Sequence, residues 1–235
     1  MVRGSNPLAT TIEPLGTFMD KVAVFIDWDN LRSTIASIQK RNGIRNFNYN
    51  DPKQLLFLIG SFLETRYERF YRIFFYTAKM LSLSEIEQYV KDEDYATFEE
   101  WKRNWRNIER YNEKYEISNT FLEQIVLEDY VALRLGKLKF DGVKNNGYPV
   151  LVQKEVDMLF GLDISHVSYL RLADKVMLFS KDTDIVPAMK SARINGLEVI
   201  LPVFKEDERV PEPLLKHCDL KREKSLRAIA NALPR

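Results

Sequence analysis

Five acidic residues stand where an α/β protein is able to hold a metal ion. Asp27 and Asp182 each follow an apolar segment of strand length almost directly. A second acid comes two residues later in both places, as Asp29 and Asp184, and Asp157 lies at the start of a segment with helical period. Ligands of open α/β sheets bind in the crevice outside the carboxyl ends of the strands. We therefore expect these carboxylates to meet in one crevice.

Carboxylates that converge in a crevice repel each other and raise each other's pKa unless a cation neutralises them. A cluster with only oxygen donors points to Mg²⁺ or Mn²⁺, because these ions accept carboxylates while keeping bound waters. Such an ion lowers the pKa of a bound water and stabilises a leaving oxygen. The pattern therefore favours hydrolysis of a phosphodiester over acyl-transfer or redox chemistry.

Helix capping is the plainer explanation for a single aspartate after a strand, because its side chain accepts backbone N–H bonds at the helix start. Asp182, which precedes Thr183 and Asp184, has a sequence context that suits a cap. Acids recur, however, at three strand-to-helix junctions, at Asp27, Asp157 and Asp182. This recurrence favours a metal site.

The elements that must position these acids alternate between strands and helices. Such alternation indicates βαβ units, so we predict a three-layer α/β domain with a central, mainly parallel sheet, of PIN-like or Rossmann-like type. The predicted strands are residues 21–27, 72–77, 138–140, 149–153, 175–180 and 197–203. The predicted helices are residues 31–40, 51–65, 156–170 and 183–195.

Residues 81–135 are dense in charged and aromatic side chains, with Trp101, Trp105 and Ile108 at helical spacing. We interpret this stretch as a helical insertion that forms a lid or a substrate-selecting wall over the carboxyl end of the sheet. It is also a candidate surface for a protein partner or a second copy of the chain. Trp101 and Trp105, with Tyr111 and Tyr115, have the spacing of stacking platforms for bases, but we expect the tryptophans to pack within the insertion.

The composition limits the remaining options. A chain of 235 residues with 45% hydrophobic content is long enough for one substantial core. We predict a flexible tail over residues 1–20 and one domain over residues 21–235. Cys218 is the single cysteine, which excludes an internal disulfide and predicts a cytoplasmic protein. No apolar run reaches the ~18 residues that a membrane span needs.

Basic and acidic residues nearly cancel, with a formal net charge of +1, so nucleic-acid binding requires a local patch. We expect one such patch to contact a nucleic-acid backbone, although a solvated charged surface is the alternative. The patch comprises Arg134, Lys137, Lys139, Lys144 and Lys154.

Three segments, in order along the chain, resemble the motifs of the NYN domain family, a branch of the PIN-like nuclease superfamily that includes the LabA-like bacterial proteins. They are residues 25–31 (Phe-Ile-Asp-Trp-Asp-Asn-Leu), residues 154–157 (Lys-Glu-Val-Asp) with Asp163 six residues on, and residues 180–184 (Ser-Lys-Asp-Thr-Asp). Residues 134–138 (Arg-Leu-Gly-Lys-Leu) are similar to the segment before the family's central acidic motif.

The resemblance implies a metal-dependent ribonuclease that uses Mg²⁺ or Mn²⁺, and it is the reason for preferring RNA to DNA. It implies that Asn30 orients a ligand or the scissile phosphate. It also implies that Asp163 orients a metal ligand without contacting the metal itself. A polar residue on the exposed side of a helix is the other reading of Asp163. The metal ligands, direct or through water, are then Asp27, Asp157, Asp182 and Asp184.

The chain departs from the family pattern at Glu155 and Lys181, where glycine is usual, and at Trp28, where a small residue is common. These departures motivate a second hypothesis, a degenerate NYN domain that binds RNA or a protein without cleaving. A third arises because residues 27–29 (Asp-Trp-Asp) are similar to the start of haloacid-dehalogenase phosphatases. Those enzymes usually carry Thr or Val where this chain has Leu31.

Overall fold

A computed structural model describes residues 19–207 and 210–234. In these residues seven strands form one sheet, with helices packed on both of its faces. The strands are β1 (Asp20–Asp27), β2 (Glu68–Ala78), β3 (Val131–Val143), β4 (Pro149–Lys154), β5 (Lys175–Phe179), β6 (Glu198–Phe204) and β7 (Leu220–Lys224). The α-helices are α1 (Trp28–Asn42), α2 (Pro52–Gly60), α3 (Leu83–Glu87), α4 (Asp92–Arg103), α5 (Trp105–Ile125), α6 (Val156–Tyr169), α7 (Val186–Ile194), α8 (Glu212–His217) and α9 (Leu226–Asn231).

The sheet has the strand order β4-β3-β2-β1-β5-β6-β7. All neighbouring strands are parallel except β3 and β4, which form an antiparallel hairpin. From β1 the chain builds outward to β4, and then returns to place β5 on the other side of β1. The order therefore reverses between β1 and β5, and such a reversal opens a crevice at the carboxyl ends of the two strands.

Alternate residues of β1 enter two separate cores. Val22, Val24 and Ile26 pack with residues of α1, α2, α5 and α9. Ala23 and Phe25 pack instead with residues of α6 and α7. All five side chains are fully buried, as expected of a central parallel strand. This burial on both faces holds the end of β1, and the acid that ends it, in a defined place.

The predicted fold class is confirmed, since the protein is an α/β structure with a mainly parallel sheet between helical layers. One secondary-structure prediction is wrong. Residues 131–135 begin β3 rather than end the helical insertion, and the same strand continues through residues 138–140. Charged side chains interrupt the apolar alternation of this strand, whereas Val131 and Leu133 do pack on the core.

Several element bounds also differ from the prediction. The helix predicted at residues 51–65 ends at Gly60, and the one predicted at 183–195 begins as a short 3₁₀ turn, Thr183–Ile185. Three C-terminal elements, α8, β7 and α9, have no counterpart in the prediction. The predicted tail, residues 1–20, lies almost wholly outside the described residues.

The inserted helices α3 to α5 dock on the hairpin of β3 and β4 through a small core of their own. Its buried members are Ile86, Phe98, Trp101, Tyr111 and Phe140. At the hairpin tip, a Cβ added to Gly147 would lie 2.4 Å from Cβ of Trp101, so only glycine allows this contact. Packing is therefore confirmed for Trp101, but it is wrong for Trp105, which is 63% exposed. No helix in the described part of the chain is both long enough and apolar enough to span a bilayer.

Candidate functional site

Asp27 ends β1 and caps α1 at the carboxyl end of the sheet. Its Oδ1 accepts a hydrogen bond from the backbone N–H of Asn30 at 3.2 Å, so the capping interpretation holds in part. Its Oδ2 accepts a second bond, at 3.3 Å, from the hydroxyl of Ser180, which follows β5. Asp27 is therefore held in one orientation by groups from both sides of the reversal in strand order.

The loop after β5 is tied to the same place. Oδ1 of Asn30 accepts from the backbone N–H of Lys181 at 3.2 Å. The hydroxyl of Ser180 accepts from the N–H of Asp182 at 3.0 Å, and Asp182 in turn caps the following turn by accepting from the N–H of Asp184 at 2.8 Å. Ser180 thus joins Asp27 to Asp182. The sequence prediction did not assign it a role, although it lies within the quoted motif of residues 180–184.

Asp157 is placed by a close contact between β3 and the start of α6. A Cβ added to Gly136 would lie 2.3 Å from Cγ2 of Val156 and 2.6 Å from the carbonyl oxygen of Lys154. Only glycine at this position lets the turn before Asp157 rest against the strand. The turn also forces Glu155 into left-handed backbone, with φ of +72°.

The pKa values indicate that these carboxylates act on one another. Burial raises the pKa of half-buried Asp27 to about 6, the hydrogen bond from Asn30 opposes the rise, and the negative charges of Asp29 and Asp157 add to it. Partial burial also raises the pKa of Asp157, and the charges of Asp182 and Asp184 raise it further. The acids therefore share one electrostatic environment.

A hydrated hard cation fits this arrangement better than a closely coordinated one. Within the described residues, no three Asp, Glu, His or Cys side chains are close enough together to hold a metal by themselves. The available donors are carboxylate oxygens, which suit Mg²⁺ and Mn²⁺. Mg²⁺ commonly keeps several waters and uses one or two carboxylates together with substrate phosphates. The donor set fits such an ion, and the set of four ligands stays a prediction.

A cleft of about 890 Å³ opens beside Asp27. Asp27, Asp29 and Asn30 line it on the side of the sheet, while Lys114 and Phe121 of α5 line it on the opposite side. The insertion therefore forms one wall of the cleft, as expected. A role of this wall in selecting substrates stays a prediction.

The predicted basic patch is divided by the fold. Nε of Arg134 forms an ion pair with Asp163 at 2.8 Å, and the hydroxyl of Tyr76 donates to the same carboxylate at 2.8 Å. Neither Arg134 nor Asp163 lines the cleft, because both lie between the sheet and α6. Their ion pair joins β3 to α6, and a contact between Arg134 and nucleic acid stays a prediction.

The lysines of the patch have different surroundings. Nζ of Lys137 forms an exposed ion pair with Glu155 at 3.0 Å, and neither Lys139 nor Lys154 lines the cleft. The lysine that does line it is Lys114, which the sequence prediction missed. It lies in a charged helical stretch that looks like an ordinary solvated helix surface in the sequence.

The three departures from the family pattern have structural counterparts. Trp28 is buried and stacks on Phe121 of α5, with ring centroids 4.8 Å apart, so the insertion supplies its packing partner. The ammonium group of Lys181 pairs with Asp207, away from the acids of the crevice. The left-handed backbone of Glu155 is a conformation that glycine adopts without strain.

Comparison with known proteins gives a family and little more. No curated protein matches the chain significantly. A crystal structure of a protein of unknown function from Vibrio parahaemolyticus has 13% sequence identity and a TM-score of 0.48, over 90% of this chain and 97% of that one. Similarity at that level supports no conclusion about this chain. The family model of the NYN domain matches residues 21–223, which is most of the chain. The chain therefore belongs to the NYN domain family.

Proposed function

We propose that this protein is a metal-dependent ribonuclease that hydrolyses phosphodiester bonds of RNA. The observation that carries the proposal is the half-buried carboxylate of Asp27. It stands at the reversal in strand order, shares its field with other acids, and faces a cleft large enough for part of a nucleic-acid strand. Family membership supports the same activity, since NYN domains are generally nuclease-like.

Asp29 pairs with Arg32 at 2.8 Å, but the other four acids of the crevice lack a cationic partner among the described residues. In the described part of the chain, no Lys or Arg forms an ion pair with Asp27, Asp157, Asp182 or Asp184. Lys181, which precedes Asp182 in the chain, is engaged by Asp207. Negative charge that the chain leaves uncompensated favours a bound divalent cation, which Asp27, Asp157, Asp182 and Asp184 would hold directly or through water.

When bound, Mg²⁺ or Mn²⁺ supplies an activated water and neutralises charge on the leaving oxygen. The side chains prepare the site for the phosphate. Oδ1 of Asn30 accepts from the Lys181 N–H, so the amide NH₂ of Asn30 is left free to donate to a phosphate oxygen in the cleft. The two hydrogen bonds to Asp27 keep its carboxylate oriented without neutralising it.

A cleavage assay tests the proposal. Purified protein is incubated with labelled single-stranded RNA or DNA in Mg²⁺, Mn²⁺ or EDTA, beside Asp182→Asn and the control Asp129→Asn. Asp129 is exposed and precedes β3, at the opposite end of the sheet. We expect RNA cleavage that EDTA and Asp182→Asn abolish and Asp129→Asn preserves. Equal cleavage by wild type and both variants would show that Asp182 is not part of an active site.

A second candidate is a degenerate NYN domain that binds RNA without cleaving it. The strained backbone of Glu155 beside Asp157 favours this candidate, because a glycine there would leave the turn freer to adjust to a ligand. RNA binding in EDTA, with no cleavage in either metal by folded protein, would support it over the nuclease.

A further inference from the structure

Two neighbouring cavities meet at the insertion. The cleft beside Asp27 and a smaller hollow of about 250 Å³ are both lined by Lys114 and Tyr148. Asn107 and Arg110 of the insertion line the hollow beyond them. A path thus runs from Asp27 and Asp29, along α5, to the tip of the β3–β4 hairpin.

The part of this path around Tyr148 is positively charged. The ammonium nitrogens of Lys114 and Lys144 lie 5.6 and 5.7 Å from the ring centroid of Tyr148, so one aromatic ring gathers a lysine from α5 and another from the hairpin. Hydrogen bonds of the hairpin turn fix the backbone position of Lys144. The Gly147 N–H, for example, donates to the Lys144 carbonyl at 2.7 Å. Among the described residues, Lys114, Lys144 and Arg110 have no acidic partner within ion-pair distance. Positive groups without acidic partners favour a bound anion beside them.

The interior of the cleft requires a different group. The side-chain oxygen of Gln153 in β4 is buried, and no described residue donates a hydrogen bond to it. Gln153 lines the cleft, so a small rotation of its side chain would present this oxygen to a donor on a ligand placed there. A phosphodiester offers no donor at neutral pH, whereas the edge of a nucleobase carries amino or imino N–H groups. The lysines therefore suit a backbone and Gln153 suits a base.

We infer that the cleft and the hollow together form a binding track for unpaired nucleotides on one side of the scissile phosphate. This inference rests on the proposed function. Phosphates lie along Lys114 and Arg110, with Lys144 beside the same Tyr148 ring, while a base turned into the cleft donates to Gln153. A base can turn in this way only when it is unpaired, so the track selects single strands over duplexes. The insertion thereby contributes binding residues of its own to the domain.

Binding measured in EDTA separates the two kinds of contact. The probes are a short labelled oligouridylate and an abasic strand of equal length, and the variants are Lys114→Ala and Gln153→Met. The control is Lys91→Ala, an exposed lysine of the same insertion outside the track. We expect Lys114→Ala to weaken binding of both probes and to reduce the salt dependence by ~0.7 per lost phosphate contact. Gln153→Met should weaken only the oligouridylate, roughly 5-fold or more.

Two outcomes overturn the track: Lys114→Ala binding as tightly as Lys91→Ala, or Gln153→Met changing both probes equally or neither. Melting curves of all variants, compared with wild type, exclude loss of folding as the cause. Cleavage measured in parallel in Mn²⁺ separates the two proposals. If cleavage depends on Asp182 but Lys114→Ala binds normally, the track fails and the nuclease stands. If the expected binding pattern appears without any cleavage, the track stands and the nuclease fails.

Discussion

A buried carboxylate has cationic partners at the amino end of the sheet and has none at the carboxyl end. At the amino end, burial alone would raise the pKa of Glu68, but hydrogen bonds from Arg222, the Glu64 N–H and Lys175 lower it to about 2. Both guanidinium contacts to Glu68 are 2.6 Å, and the lysine contact is 2.9 Å. At the carboxyl end, Asp27 receives no cationic donor, and burial raises its pKa to about 6.

This difference separates charge that stabilises the fold from charge that, in the proposed function, binds a cation. Glu68 has no exposed side-chain surface, and its network also engages Asp20 and Glu198 through Lys175. The network is complete within the chain and needs nothing else. No described residue supplies a cation to Asp27, so a proton or a bound cation would lower the energy of this carboxylate.

The largest expected effect comes from breaking the amino end. Glu68→Gln would leave Arg222 and Lys175 buried with less compensating charge, at a cost of about 3–5 kcal/mol in unfolding free energy. Urea unfolding measures the loss. The control is Glu223→Gln, which breaks an exposed pair with Lys221 and should cost less than about 1 kcal/mol. Equal small losses in the two variants would show that the network does not stabilise the fold.

A smaller effect is expected from the contact that places Asp157. Gly136→Ala forces a Cβ against Val156 and the Lys154 carbonyl, so we expect a loss of about 1–3 kcal/mol together with reduced cleavage. Gly161→Ala, in α6, meets nothing within 4 Å and should stabilise by roughly 0.5–1 kcal/mol with cleavage unchanged. Normal cleavage by folded Gly136→Ala would show that the turn before Asp157 does not matter for the site.

The contributions of Asp27 and Glu68 to stability should change with pH in opposite directions. The pKa of Asp27 rises from 3.8 to about 6 on folding, so its stabilising contribution is complete below 3.8 and is lost as the pH rises through 6. Metal-free wild type should therefore lose stability relative to Asp27→Asn over that range. Melting temperatures of the two proteins at several pH values check this. A constant difference between them would contradict the raised pKa of Asp27.

Glu68 should give the opposite slope. Its pKa falls from 4.5 to about 2 on folding, so its contribution is complete above 4.5 and is lost as the pH falls through 2. Wild type should approach the stability of Glu68→Gln only in strong acid. A difference in stability between the two proteins that stays unchanged from roughly pH 5 to strong acid would contradict the lowered pKa of Glu68.

Sequence reasoning placed Asp27 and Asp182 correctly after apolar strands, because that part of the fold is locally determined. Strands β1 and β5 are apolar runs followed by acids, and Gly196 ends α7 with φ of +86°. Edge strand β7, Leu-Lys-Arg-Glu-Lys, has no apolar period, because its charged side chains are mostly exposed. It follows from pairing with β6, which no local pattern encodes.

The basic patch shows the same limit. Arg134 looks free in the sequence, and its partner Asp163 becomes visible only when α6 packs on the sheet. Lys114 looks like one of many exposed lysines, and it becomes part of the cleft only when α5 docks opposite Asp27. Residue types and spacing therefore predicted the acids, while tertiary contacts decide which cations face them.

The central claim is that the carboxyl end of the sheet is completed by a divalent cation. Melting of metal-free protein titrated with Mn²⁺ or Mg²⁺ tests it most directly. An ion that binds only the folded state should add ~2.7 kcal/mol at a free concentration ~100 times its dissociation constant. We expect the melting temperature of wild type to rise with metal and that of Asp182→Asn to rise less, starting no lower than wild type because one repulsive charge is gone. A wild-type melting curve that is unchanged across the millimolar range of either metal would contradict the claim.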